Sequence, residues 1–85
     1  MTDEQLNKVI DFYKDITANN EYNLEFKSNN LVRIIRFIGK EKISIEYLKN
    51  MDEFAVTIYW GNVSHLITDD VEDALLVLNH IRKQL

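Results

Sequence analysis

The stretch Leu31-Val32-Arg33-Ile34-Ile35-Arg36-Phe37-Ile38 decides the fold. Read as a strand, it joins alternating segments on either side into a meander. Read as a helix, it splits them. Two features favour a helix: the arginines are three apart, and Asn30 and Gly39 resemble caps. Its density of Val, Ile and Phe and its shortness favour a strand. The neighbouring strand patterns tip the reading to a strand. As a strand it is apolar on both faces, so it belongs in the sheet interior or beneath a second layer.

On its C-terminal side the period is two. Ile43, Ile45 and Tyr47 alternate with Lys42, Ser44 and Glu46. Phe54, Val56, Ile58 and Trp60 alternate with Ala55, Thr57 and Tyr59. Gly61-Asn62 suits a two-residue hairpin turn into a short strand over 63–67. On its N-terminal side Tyr22, Leu24 and Phe26 alternate with Asn23, Glu25 and Lys27, followed by a Ser28-Asn29-Asn30 turn signal.

A helix is expected at each end. Over residues 2–17, Leu6, Val9, Ile10, Tyr13 and Ile16 or Thr17 make one apolar face. Thr2 and Gln5 have capping-box spacing, and Ala18-Asn19-Asn20 ends the pattern. From about residue 69 the stripe is Val71, Ala74, Leu75, Leu78, Ile81 and Leu85. Asp69 and Glu72 are spaced for a capping box. Acids at its start and Arg82 and Lys83 at its end complement the helix dipole. The expected fold is therefore α+β and two-layered. An antiparallel sheet of four to five strands carries the N-terminal and C-terminal helices on one face. Residues 1–85 read as a single domain.

Composition narrows the function classes. The chain is 46% hydrophobic and 28% charged, which suits a folded domain. It has no Cys or Pro and two Gly, leaving no means for disulfides, thiolate chemistry or a Gly-rich phosphate loop. The start, Met1-Thr2-Asp3-Glu4-Gln5, does not resemble a signal peptide, and the apolar runs at 31–38 and 74–78 are too short to span a bilayer. A cytoplasmic protein is the expectation. The net charge is −4, distributed unevenly. Residues 27–49 hold six bases and two acids; residues 52–73 hold six acids and no Lys or Arg. A basic stripe with Phe37 and Tyr47 is compatible with RNA contact, and the acidic half with mimicry of a polyanion. The modest overall charge argues against both, and nucleic acid is not expected as the partner.

No catalytic constellation emerges, so an enzyme is not expected. Ser64 and His65 are strand neighbours and point to opposite faces, which does not make a nucleophile–base pair. His65 and His80 without Cys make a weak metal signal. The run Asp69-Asp70-Val71-Glu72-Asp73 lacks an EF-hand's alternating ligands and glycine, and helix capping explains it. No metal or cofactor is expected.

Apolar surface is the remaining clue. Phe12, Leu76 and Val77 lie off the helical stripes, and Tyr59 and Trp60 sit beside a turn. Wide apolar faces can simply close a thin core, since a chain this size buries only roughly 60–65% of its unfolded surface. They can equally form a contact surface. Phe12, Arg33, Arg36, Tyr59, Trp60 and Leu76 are the interaction candidates, with Tyr59, Trp60, Phe12 and Leu76 expected in one patch. The leading expectation is a small non-catalytic interaction module that binds a larger protein, as a regulator, immunity protein or phage-type inhibitor does. The alternative is a homodimer that binds a small ligand between sheet and helices.

The residues Gly39-Lys40-Glu41-Lys42-Ile43, Tyr47 and Phe54-Ala55-Val56-Thr57-Ile58-Tyr59, with the order of elements, resemble small uncharacterised Firmicutes proteins of the YkuJ type. The chain departs from them in its longer, more apolar 31–38 segment. The resemblance implies an α+β fold and carries over no site residue.

Overall fold

The computed structural model describes residues 1–17, 22–28, 31–38 and 40–85, with 22–28 described by backbone and strand pairing. The order is α1 (Asp3–Ile16), β1 (Tyr22–Ser28), β2 (Leu31–Ile38), β3 (Glu41–Asn50), β4 (Glu53–Trp60), β5 (Val63–Thr68) and α2 (Val71–Gln84). The five strands form one antiparallel sheet in sequence order. This is the expected α+β meander, and residues 31–38 are a strand. The β-branched and aromatic side chains of that segment suit a pleated surface, and its neighbours on both sides supply the ladder.

The expected stop at Ala18-Asn19-Asn20, the Asn29-Asn30 turn and the Gly39 cap lie outside the described residues. So do the inward-facing side chains expected of Tyr22, Leu24 and Phe26.

Both helices cover one face. Leu6, Val9 and Tyr13 from α1 and Ala74, Leu78 and Ile81 from α2 are buried against Ile34, Ile43, Ile45, Val56 and Ile58 of the sheet. The strand residues alternate, as a half-buried antiparallel sheet requires. The helices run in the same direction. Their first turns line one cavity with Glu53, and the Arg82 guanidinium near the end of α2 lies 5.6 Å from the Phe12 ring centroid. Five antiparallel strands between them return the chain to the end where it began.

The α1 capping box forms as expected: Thr2 Oγ1 accepts from the Gln5 N–H, and Gln5 Oε1 from the Thr2 N–H. The start of α2 differs. Asp70, not Asp69, is the N-cap, accepting from the N–H groups of Glu72 and Asp73. Thr68 Oγ1 accepts the Asp70 N–H and fixes the turn one residue later than the expected box. The stripe of α2 also needs correction. Leu85 is exposed, being the C-cap with no turn beyond it, whereas Val77 rests against the core.

Two tight turns close the hairpins around β4. Gly61 takes φ +64° between the paired Trp60 and Val63, as a Gly-first hairpin turn requires. Met51 takes φ +59° between the paired Asn50 and Glu53. Met51 is also 89% exposed, so no burial of its side chain offsets that conformation.

Candidate functional site

The second face of the sheet has no helix over it among the described residues. Alternation places Leu31, Arg33, Ile35 and Phe37 of β2 there. From β3 come Lys42, Ser44, Glu46 and Leu48, and from β4 Ala55, Thr57 and Tyr59. On β5, Ile67 stands opposite Thr57 and is 71% exposed. The sequence expectation that β2 lies inside the sheet is met. Its second apolar side is left uncovered.

Arg33 organises the centre of this face. Cross-strand register sets it opposite Glu46, and its Nε and Nη2 donate to Glu46 Oε2 at 3.0 and 2.7 Å. Both side chains are largely buried, so this ion pair is better shielded from water than an ordinary surface bridge. The guanidinium reaches across β3 to lie 5.2 Å from the Tyr59 ring centroid. Beneath it, Ser44 stands between its cross-strand neighbours Ile35 and Tyr59, and only 3% of it is exposed. A small side chain between larger ones leaves a cavity of about 110 Å³, lined by Arg33, Lys42, Ser44, Tyr59, Gly61 and Asn62.

The six candidate residues fall in separate places. Arg33 and Tyr59 meet on the uncovered face. Trp60 is on the helix side, because it follows Tyr59 in the strand. There its Nε1–H donates to Glu41 Oε2 at 2.9 Å, and its ring lies 5.9 Å from that of His65. Arg36 also faces the helices. Its Nη1 donates to the carbonyls of Lys14 and Thr17 and to Thr17 Oγ1, at the C-terminal end of α1. Phe12 and Leu76 line a groove of about 210 Å³ with Glu72, Leu75 and Asn79, formed by the two helices. Phe12 is not surplus surface as expected: it packs against the core, while Leu76 is exposed. The expected single patch of Tyr59, Trp60, Phe12 and Leu76 is thus divided, with Tyr59 on the uncovered face and the other three on the helix side. Strand alternation and the intervening sheet separate them.

Sequence reasoning missed Ser44, Lys42 and Asn62, which line the cavity together with Arg33. The signal was there in the register. A turn at Gly61-Asn62 pairs Ile43 with Trp60, which sets Ser44 beside Tyr59 and Lys42 beside the turn. Lys42 Nζ does donate to Asn62 Oδ1 at 2.8 Å. Helical spacing predicts Tyr13 in the core, but the bonds of its hydroxyl to sheet carbonyls depend on tertiary placement that spacing does not carry.

For other chemistry the geometry offers less. A register shift at Ile58/Tyr59 sets Ser64 opposite Tyr59, while the His65 ring lies by Trp60. Among the described residues no group of three or more His, Cys, Asp or Glu is placed to hold a metal ion. The space between sheet and helices, where a ligand pocket was considered, is filled by fully buried Val9, Tyr13, Ile43, Ile45, Ile58 and Leu78. No described helix is long and apolar enough to cross a membrane. No family model, curated protein or solved structure matches the chain, so nothing bears on the YkuJ-type resemblance.

Proposed function

We propose that the chain is a small non-catalytic interaction module that docks a larger protein on the uncovered face of its sheet. One observation carries this reading: Leu31, Ile35, Phe37, Leu48 and Tyr59 share a face that no described helix covers. Strand spacing and rise give five strands of about eight residues a face of roughly 24 by 26 Å, on the order of 600 Å². That approaches the ~800 Å² that each partner contributes to a standard interface. Arg33 and Tyr59 are residue types that concentrate binding energy at such centres.

The partner's chemistry follows from the charges. Arg33, Lys42 and Glu46 are the charged side chains at the centre of this face on β2 and β3, and Arg33 and Glu46 pair with each other. Glu53 stands at the start of β4 beside the Met1 ammonium. Lys42 adds a cation at the end of the face near the Gly61-Asn62 turn, where its ammonium donates to Asn62 Oδ1. The fitting partner presents an apolar patch with hydrogen-bond acceptors at its edge. A cytoplasmic setting is part of this reading, since a cysteine-free chain suits a reducing compartment.

The test is affinity capture with the purified protein and three variants, with the captured protein identified and its binding remeasured. Tyr59→Ala and Ile35→Asp are expected to abolish capture, and Leu76→Ala on the helix side to retain it. The reverse pattern would move the docking surface to the helices. Light scattering that finds a stable homodimer, broken by Ile35→Asp, would replace the larger protein with a second copy of the chain.

A further inference from the structure

We propose that the cavity over Ser44 is a binding site for a phosphate-class oxyanion. Arg33, Lys42, Ser44, Tyr59 and Asn62 all carry hydrogen-bond donors, and no carboxylate lines the cavity. The donors come from β2, β3, β4 and the β4–β5 turn, so four elements contribute to the lining.

The observation that points to a ligand is Ser44. Its side chain is all but buried and lines the cavity, and its hydroxyl has no hydrogen-bond partner among the described residues. The hydroxyl is not sealed off from solvent: it opens onto the cavity, where a ligand or water can satisfy it. The neighbouring donors are only partly used. Arg33 commits Nε and Nη2 to Glu46 and keeps Nη1. Lys42 commits one of its three ammonium protons to Asn62 Oδ1, which leaves the Asn62 NH₂ to donate. The Gly61 N–H donates to the Lys42 carbonyl at 2.7 Å and pins the turn that carries Asn62.

These donors select the ligand. A planar carboxylate fits the two-nitrogen edge of a guanidinium, and Glu46 already occupies that edge of Arg33. The remaining donors stand on four separate elements, which suits an ion with several acceptor oxygens such as a tetrahedral oxyanion. Arg33 and Lys42 against Glu46 leave one net positive charge. A volume of about 110 Å³ is several times the ~10–15 Å³ that a cavity needs to hold one water, enough for a small oxyanion. The site does not depend on protein docking, although it lies on the same face.

The experiment is a titration of the isotope-labelled protein with inorganic phosphate at constant ionic strength, followed by amide NMR. Saturable shifts are expected at Ser44, Tyr59, Gly61 and Asn62. Lys42→Gln should raise the dissociation constant about tenfold, the loss of one charge-assisted hydrogen bond. Asn62→Asp, a turn-compatible change that adds a negative charge at the rim, should abolish binding, while Lys83→Gln on α2 should not alter it. Urea midpoints establish that each variant is folded. Non-saturating shifts spread over the surface lysines, or an unchanged constant in both Lys42→Gln and Asn62→Asp, would overturn the site. Acetate binding as tightly as phosphate would overturn the tetrahedral assignment.

Discussion

The Tyr13 hydroxyl donates to the Ile43 carbonyl at 2.6 Å and also reaches the Ile34 carbonyl at 3.3 Å. Tyr13 is fully buried, so this contact ties α1 to β2 and β3 from inside the core. Removing the hydroxyl keeps the ring and loses the bond. Tyr13→Phe should therefore cost about 1 kcal/mol, read as a lower urea midpoint at unchanged slope. Tyr13→Ala, which also empties the ring's space, should cost about 3–5 kcal/mol.

The two helix starts give a prediction that discriminates between neighbouring acids. Asp70 accepts two backbone N–H groups of α2 and Asp69 accepts none of them. Asp70→Ala should cost about 1 kcal/mol of stability, while Asp69→Ala should be nearly neutral. Thr2→Ala should match Asp70→Ala, since it opens the α1 capping box. Equal losses for Asp69→Ala and Asp70→Ala in urea melts would contradict this cap assignment.

These residues show how far the sequence carries. Period-two spacing from Ile43 to Trp60 is legible because one sheet face is covered and the other is not. At 31–38 that rule fails: both faces are apolar, and spacing cannot tell which one the helices take. The candidate site was harder to read because it depends on register. Tyr59 and Trp60 are adjacent in sequence and face opposite layers, and Arg33 and Arg36, three apart in a strand, also part company. The Asp69/Asp70 ambiguity arises from two consecutive residues that can both cap. The Thr68 hydroxyl, contacting the Asp70 N–H, fixes the choice only in three dimensions.

Met51 occupies the left-handed region in an exposed turn, where a side chain costs roughly 1–2 kcal/mol and glycine costs little sterically. The methionine side chain is almost wholly in solvent, so little packing is lost with it. Met51→Gly should stabilise the fold by about 0.5–1 kcal/mol after glycine's greater unfolded-state entropy is set against the relief. Thermal melts should show a higher Tm. A lower Tm would mean that the Met51 side chain makes a stabilising contact.

Arg33 and Arg36 are the most direct test of which face does what. Both belong to β2, but Arg33 is held by Glu46 on the uncovered face and Arg36 by the last carbonyls of α1. Hydrogen bonds from a charged donor contribute about 1.5–3 kcal/mol. A cation at a helix C-terminus adds favourable interaction with the helix dipole. Arg36→Ala should therefore lower stability by about 2–3 kcal/mol. Its effect on docking, measured at a denaturant-free temperature where the variant is folded, should be small. Arg33→Ala should do the opposite to binding: it removes the side chain at the centre of the proposed surface and its ion pair with Glu46. Its capture of the partner should fall at least tenfold, which corresponds to about 1.4 kcal/mol. If Arg36→Ala abolishes capture in a folded protein while Arg33→Ala does not, the docking surface belongs on the helix side.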